Sequence, residues 1–259
     1  MIIDGRKIAD EIAQGLDGKG LALLVLQVGD DNSSTSYIRI KQKFGQRIGV
    51  RIILEQFPGT ASSAELLARI KKANADPNIT GIIVQLPLPA HIDVAPLLAS
   101  IDPAKDPDAL SLSPLVLPPV VSAVKEIVDR YNLDLSNLDV ALVGYGHLVG
   151  QPVAKWLRER GVDFALITEE NKNADKILAN ADVIISGVGK PGLIRPEIIK
   201  EGVAVIDAGT SEQGGAVRGD CDAACAQKAT LFTPVPGGLG PMTVAMLFRN
   251  LVELAGRRS

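Results

Sequence analysis

Short apolar runs rich in β-branched residues alternate with stretches of helical periodicity from one end of this chain to the other, which restricts it to the α/β class. Runs this apolar suit strands buried on both faces of a parallel sheet. The predicted strands are Leu21 to Val28, Val50 to Phe57, Gly81 to Gln85, Asp139 to Gly144, Asp163 to Thr168, Asp182 to Ser186, Ala204 to Ala208 and Thr230 to Thr233. Helices are predicted near Arg6 to Leu16, Ser34 to Ile48, Glu65 to Ala75, Val121 to Tyr131, Gln151 to Arg160, Asn173 to Ala179 and Met242 to Ala255. Ser62-Ser-Ala-Glu65 has the capping-box pattern for the third of these. With 259 residues, 46% of them hydrophobic, the chain can build one large domain or two medium ones.

The alternation breaks once, at the proline-rich stretch from Asp102 to Pro119, which reads as the end of a first lobe and the start of a hinge to a second. A cleft is expected beside it. Ligands of open α/β sheets bind beyond the carboxyl ends of strands, which directs attention to Gln85, Asp108 and the loop after Gly144.

Several partner classes are disfavoured. A net charge of −3, with dense basic spots only at Lys71-Lys72 and Arg257-Arg258, argues against a nucleic-acid surface. No apolar run reaches membrane-spanning length, and Met1 to Asp4 lacks a signal-peptide pattern, so a cytoplasmic location is expected. Cys221 and Cys225, four apart in an expected helix, are read as small buried thiols. With His91 and His147 far off in sequence, no metal site is expected.

The strand Asp139 to Gly144 runs into Tyr145-Gly146-His147-Leu148-Val149-Gly150-Gln151-Pro152 and then a helix. Strand, glycine turn and helix in that order are the context of a dinucleotide phosphate on a helix N-terminus, although the spacing G-x-G-x-x-x-G departs from the usual form. Packing of helix against strand accounts for the same glycines without a ligand. The next strand ends at Thr168-Glu169-Glu170, where an acidic side chain meets ribose hydroxyls and repels a 2′-phosphate, so NAD is expected over NADP, unless Lys172 or Arg195 bends back to hold that phosphate. Gly187, Gly189 and Thr210 lie in two later strand-end loops suited to backbone approach.

Thr233-Pro-Val-Pro-Gly-Gly-Leu-Gly-Pro-Met-Thr243 is too rich in glycine and proline for a strand yet feeds a helix. It reads as a rigid wall for a flat ligand, with unpaired N–H groups expected near Met242 and Thr243. On the helix from Ser34, Tyr37, Ile40, Phe44 and Ile48 share an apolar arc with Lys41 at its edge. Partial burial strips an ammonium of hydration and lowers its pKa, which suits proton transfer; a snorkelling lysine with a wet head fits the same spacing. Tyr37-x-x-x-Lys41 also matches the pair of short-chain dehydrogenases, but there the glycine turn comes first in the chain. Gln85 closes a buried strand before Leu86-Pro87, and an amide there can hold a lysine. Of Asp106 and Asp108, one carboxylate can accept paired hydrogen bonds from an amino-pyrimidinone ring; both also suit a turn around Pro107.

Across nearly its whole length the chain resembles the bifunctional methylenetetrahydrofolate dehydrogenase/cyclohydrolase family. The resemblance is carried by Ile3-Asp-Gly-Arg-Lys-Ile8, Gly29-Asp-Asp31 leading to Ser34-x-x-Tyr37-x-x-x-Lys41-x-Lys43, Gln85-Leu-Pro-Leu-Pro89 and Lys105-Asp-x-Asp108. Val149-Gly-x-Pro152, Gly187-x-Gly-Lys-Pro-Gly192 and Pro234 to Thr243 complete it. It implies two α/β lobes with a cleft between them: a catalytic, folate-binding domain of residues 1–120 plus 243–259, and a Rossmann-type domain of residues 121–242. Lys41 would be the central catalytic residue, Tyr37 would pack on the folate, Gln85 would tune Lys41, and Asp108 would anchor the pterin. Leu86, Pro87, Pro236, Gly237 and Gly238 would complete the folate contacts. Gly144, Tyr145, Gly146, His147, Val149, Gly150, Glu169, Gly187, Gly189, Thr210, Gly240 and Thr243 would hold NAD or NADP. A homodimer in one-carbon metabolism and purine biosynthesis is also implied.

The implied reactions are oxidation of 5,10-methylenetetrahydrofolate and hydrolysis of the methenyl product to 10-formyltetrahydrofolate. A dehydrogenase without the hydrolytic step and a non-catalytic folate- or nucleotide-binding protein are the alternatives. The chain departs from the family pattern in being shorter near Gly18 to Gly20 and after Asp108. Ala109 replaces a glycine, Leu117 to Ala123 replaces a Thr-Pro-x-Gly motif, and Tyr145-Gly146 replaces Arg-Ser.

Overall fold

The computed structural model describes residues 1–30, 32–213 and 216–258; Asp31, named in the motif above, lies outside the described residues. The chain divides into two compact units, one of Asp10–Pro119 with the stretch from Val244 on, the other of Met1–Ala9 with Val120–Thr243.

The first unit contains the second half of α1 (Gly5–Gln14), then β1 (Ala22–Val28), α2 (Asn32–Arg47), β2 (Arg51–Phe57), α3 (Ser63–Ala75), β3 (Gly81–Val84), α4 (Val94–Ala99) and the greater part of a last helix. Its sheet is parallel with order β2-β1-β3. The central strand is buried at every position, so both of its faces carry core. Leu24, Leu26, Ile82 and Val84 pack with Leu66, Ile70 and Ala73 of α3. The alternate set, Leu23, Val25 and Ile83, packs with Ile38 and Ile48 and with Leu247, Phe248 and Leu251 of the last helix. The period of two along a strand assigns these faces. The expected capping box is present: Ser62 Oγ accepts from the Glu65 amide and the Glu65 carboxylate accepts from the Ser62 amide. Helix α4 was not predicted; its Pro96 sits in the first turn, where a missing N–H costs no helical bond.

The second unit is built on the helices α5 (Pro119–Arg130), α6 (Gly150–Glu159) and α7 (Ala174–Leu178) and the strands β4 (Val140–Val143), β5 (Phe164–Ile167), β6 (Val183–Ser186), β7 (Ala204–Asp207) and β10 (Leu231–Phe232). The five strands are parallel in the order β10-β7-β6-β4-β5, doubly wound around β4 and β6. A hairpin, β8 (Ser211–Gln213) with β9 (Ala216–Arg218), follows β7.

The first nine residues, placed by sequence in the first domain, are grouped with the second compact unit, where Ile3 N donates to Phe232 O and Gly5 N to Gly237 O, each at 2.9 Å. Two expectations change. Cys221 is not helical, and Cys225 lies in a 3₁₀ turn over Ala223–Gln227; Cys221 is half-buried and Cys225 buried. Burial pushes both thiols up, that of Cys225 to about 11, so neither is a reactive thiolate. The last helix, α8, runs over Leu239–Gly256 and so begins three residues before Met242. The N–H groups without an intrahelical partner therefore lie in the first turn, at Leu239 and Gly240, since Pro241 has none, and the Thr243 hydroxyl donates back to Leu239 O at 3.1 Å.

Candidate active site

The buried stripe of α2 is Ile38, Lys41 and Gly45, continued by Ile48 just past its end, spaced three and four apart. That differs from the expected arc: Tyr37 and Ile40 are exposed and Phe44 is half-buried. Gly45 sets the register, since a Cβ there would sit 2.8 Å from Ile52 Cδ1 and 3.1 Å from the Phe248 ring. Lys41 thus lies within the stripe, only 8% exposed, and its Nζ donates to Gln85 Oε1 at 3.0 Å. Gln85 is buried one residue past β3, and its Nε2 donates to Leu86 O at 2.7 Å. With the amide nitrogen committed, the oxygen must face the lysine. Tyr37 stands one turn before Lys41 on the same helix and is partly open to solvent. Leu86 is half-buried and Pro87 exposed beyond Gln85, joined by a cis peptide bond.

Asp108 is half-buried. Desolvation raises its pKa, and the charge of Lys41 is the main opposing influence, which places the carboxylate within electrostatic reach of the amine. The segment that carries it is tied at several points. Lys105 Nζ donates to the carbonyls of Ala73 and Asp76 at the C-terminal end of α3, at 3.0 and 2.6 Å; burial lowers its pKa. Asp106 is fully buried, accepts from Ser111 N at 2.7 Å, and has its carboxyl pKa raised by desolvation. The two aspartates differ: Asp106 is fully buried in the turn and Asp108 is half-buried. Asn250 of α8 donates to Pro107 O and Leu117 O, both at 2.9 Å, closing the segment at both ends. Neither Asn250 nor the Lys105 contacts were foreseen, because their partners come from distant parts of the chain.

In the second unit Gly144 has φ +93° and starts the turn into α6. A Cβ on Gly150 would lie 2.3 Å from Gly144 O, and one on Gly187 would lie 2.2 Å from Val149 Cγ1. These two glycines are therefore required by packing alone. At the start of α6, Gln151 N is taken by Gly146 O at 3.0 Å and Pro152 has no N–H, leaving the Gly150 amide and the helix dipole for an anion. No atom lies within 4 Å of a Cβ built on Gly146, and Tyr145, Gly146 and His147 are exposed. Glu169 is exposed just past β5, in a turn closed by Thr168 N donating to Asn171 Oδ1 at 2.7 Å. Thr210 is exposed, with its carbonyl 3.3 Å from a Cβ built on Gly189. Pro236 is exposed, Gly238 packs against Pro234 O, and Gly240 is open. Among the described residues no group of three or more His, Cys, Asp or Glu could hold a metal.

Residues 3–108 match the tetrahydrofolate dehydrogenase/cyclohydrolase catalytic domain, and residues 118–259 match the NAD(P)-binding domain of the same family. The chain belongs to the tetrahydrofolate dehydrogenase/cyclohydrolase family. It is 36% identical to the bifunctional protein FolD 2 of Lactobacillus johnsonii, over 99% of this chain and 98% of that one. The crystal structure of the bifunctional FolD enzyme of Campylobacter jejuni superposes with a TM-score of 0.92 at 31% identity, covering 100% of this chain and 99% of that one. That of Trypanosoma brucei, complexed with NADP and an inhibitor, gives 0.92 at 30% identity, covering 100% and 98%. In this dehydrogenase/cyclohydrolase, Lys41, Gln85 and Asp108 fall in the part matched to the catalytic domain, and the glycine turn in the part matched to the dinucleotide domain. An open hollow around Asp139, Asp163, Lys176 and Asp182 lies at the opposite, amino ends of β4 to β6. It is remote from the glycine turn.

Proposed function

We propose that this protein oxidises 5,10-methylenetetrahydrofolate to the methenyl form with a nicotinamide dinucleotide and hydrolyses that product to 10-formyltetrahydrofolate. The observation that carries the reading is the buried Lys41 Nζ bonded to Gln85 Oε1 with Asp108 in electrostatic reach. A protein that only bound folate would have no use for a desolvated amine held this way.

In the first reaction a hydride leaves the methylene carbon for the nicotinamide ring, and the folate becomes a delocalised cation. Alignment matters more than acid-base chemistry at this step. Asp108 accepts donors of the pterin ring, and Tyr37 with Leu86 and Pro87 supplies flat and apolar contact. In the second reaction water adds to the cationic carbon and a ring carbon–nitrogen bond opens. One proton of that water ends on the released nitrogen and the other leaves to solvent. Lys41 is the group that moves the proton, and Gln85 fixes the direction of one of its N–H bonds.

The dinucleotide turn consists of Gly144, Tyr145, Gly146, His147, Val149 and Gly150, with Glu169 at the adenosine ribose and Gly187, Gly189, Thr210, Gly240 and Thr243 as further contacts. The family resemblance supports a cytoplasmic homodimer that supplies formyl groups for purine synthesis. The test is to give the purified protein methylenetetrahydrofolate with NAD and with NADP in parallel, following reduced nicotinamide and then decay of methenyl absorbance. Reduced nicotinamide without that decay would remove the hydrolytic half of the proposal.

A further inference from the structure

Two fully buried carboxylates, Asp207 and Asp220, sit behind the dinucleotide loops of the second unit and take no part in the chemistry above. Asp207 ends β7, and its carboxylate accepts from the amides of Gly209 and Cys221 at 2.9 and 2.8 Å. Asp220 follows the β8–β9 hairpin. Its Oδ2 accepts from Ser186 Oγ at 2.6 Å and Val188 N at 2.7 Å, and its Oδ1 from Lys190 N at 2.7 Å. The two are linked by Asp220 N donating to Asp207 Oδ1 at 3.3 Å. Gly209 and Gly219 make room for them, since a Cβ at either would fall 2.2 Å from a carboxylate atom.

The amides of Val188 and Lys190 both point inward. Their peptide bonds are trans, so the carbonyls of Gly187 and Gly189 must point away from the carboxylate. Gly187 O accordingly lies 3.1 Å from a Cβ built on Gly144, on the side of the glycine turn. Among the described residues no protein donor is bonded to either carbonyl. A loop that turns acceptors outward and keeps its amides at an aspartate is unsuited to phosphate and suited to a ligand that donates hydrogen bonds. Strand order reverses between β4 and β6, so the loop after β6 lies across the switch point from β5 and Glu169, on the side of the second nucleotide.

We infer that Asp220 is a positioning residue that sets the Gly187–Lys190 loop to receive the nicotinamide-riboside half of the cofactor through the Gly187 and Gly189 carbonyls. The inference rests on the cofactor site proposed above. An asparagine at 220 has one acceptor oxygen for three donors, and its NH₂ must face an N–H or a hydroxyl. The test measures binding of the reduced dinucleotide that the wild-type protein produces, beside ADP, which lacks the nicotinamide-riboside half. Asp220→Asn should weaken dinucleotide binding at least about tenfold, equivalent to about 1.4 kcal/mol, while ADP binding changes by less than about twofold. Equal loss for both ligands, or no loss, overturns the inference. If circular dichroism shows Asp220→Asn to be unfolded, Ser186→Ala decides: loss confined to the dinucleotide supports the inference, and equal or no loss overturns it. A wild-type protein that binds ADP and no dinucleotide would instead defeat the underlying cofactor reading.

Discussion

Lys41 Nζ donates to Gln85 Oε1 at 3.0 Å, and the Gln85 amide cannot flip because its nitrogen is held by Leu86 O. The lysine is thus fixed from outside its own helix, by the end of β3. If this amine moves the proton in hydrolysis, Lys41→Met should lower the hydrolytic rate by at least about a hundredfold, the usual range for loss of an acid-base group. Hydride transfer should persist at a reduced rate, since it needs no proton carrier. Stopped-flow decay of supplied methenyltetrahydrofolate against formation of reduced nicotinamide separates the two. Hydrolysis at the wild-type rate in Lys41→Met would refute the role.

Ala109, which stands where the family pattern has glycine, has φ +56° directly after Asp108. Alanine is the smallest L-residue that can hold that φ, and the residue is buried in a segment already fixed by Asn250. Glycine relieves strain but gives up that packing and adds unfolded-state entropy, so Ala109→Gly should leave stability within about 1 kcal/mol. Ala109→Val adds a β-branch where φ is positive and should cost about 2 kcal/mol or more. Urea denaturation measures both. A Val variant as stable as wild type would show that the backbone at 109 is not held in this conformation.

Glu169 stands one residue beyond Thr168, exposed at the end of β5. A second negative charge about 4 Å from it costs about 1 kcal/mol in water, so kcat/KM should favour NAD over NADP by about fivefold or more. Glu169→Gln should bring the ratio toward one. Initial rates with both cofactors provide the check, and a wild-type preference for NADP would refute the assignment.

The order of strands and helices was legible in the sequence because buried parallel strands are written as unbroken apolar runs, as in Ala22–Val28 and Val183–Ser186. The β8–β9 hairpin was not, since Ser211-Glu-Gln213 carries no apolar alternation. Helical spacing put Lys41 only at the edge of the apolar arc and fitted a snorkelling lysine as well as a partly buried one; the arc was placed one residue off because Gly45, having no side chain, counted for nothing. In the folded chain Ile52 and Phe248 fill the space it leaves. Asp220 was passed over because its three donors lie 30 to 34 residues away, beyond any local pattern. Gly209 and Gly219 were the available signal, each reserving room for a carboxylate, but nothing in the sequence says which one.

Asp207 makes stability depend on pH in a definite direction. Burial, and secondarily the charge of Asp220, push its carboxyl up from 3.8 to about 6 despite the amides of Cys221, Gly209 and Asp220 that donate to it. The native state therefore holds a proton that the unfolded chain has lost between these values. The resulting stabilisation is complete below about pH 4 and is lost as pH rises through about 6. At about 1.4 kcal/mol per pKa unit, the shift from 3.8 to about 6 corresponds to about 3 kcal/mol. Asp76, Asp134 and Asp182 have pKa values lowered by hydrogen bonds and oppose this trend, so the wild-type curve alone does not isolate it. Asp207→Asn cannot titrate. Relative to that variant, the wild-type protein should lose about 2.4 kcal/mol of stability between pH 4 and 7, read from urea midpoints at each pH. A difference that stays constant or grows with pH would show that the Asp207 carboxyl is ionised in the native state throughout the range.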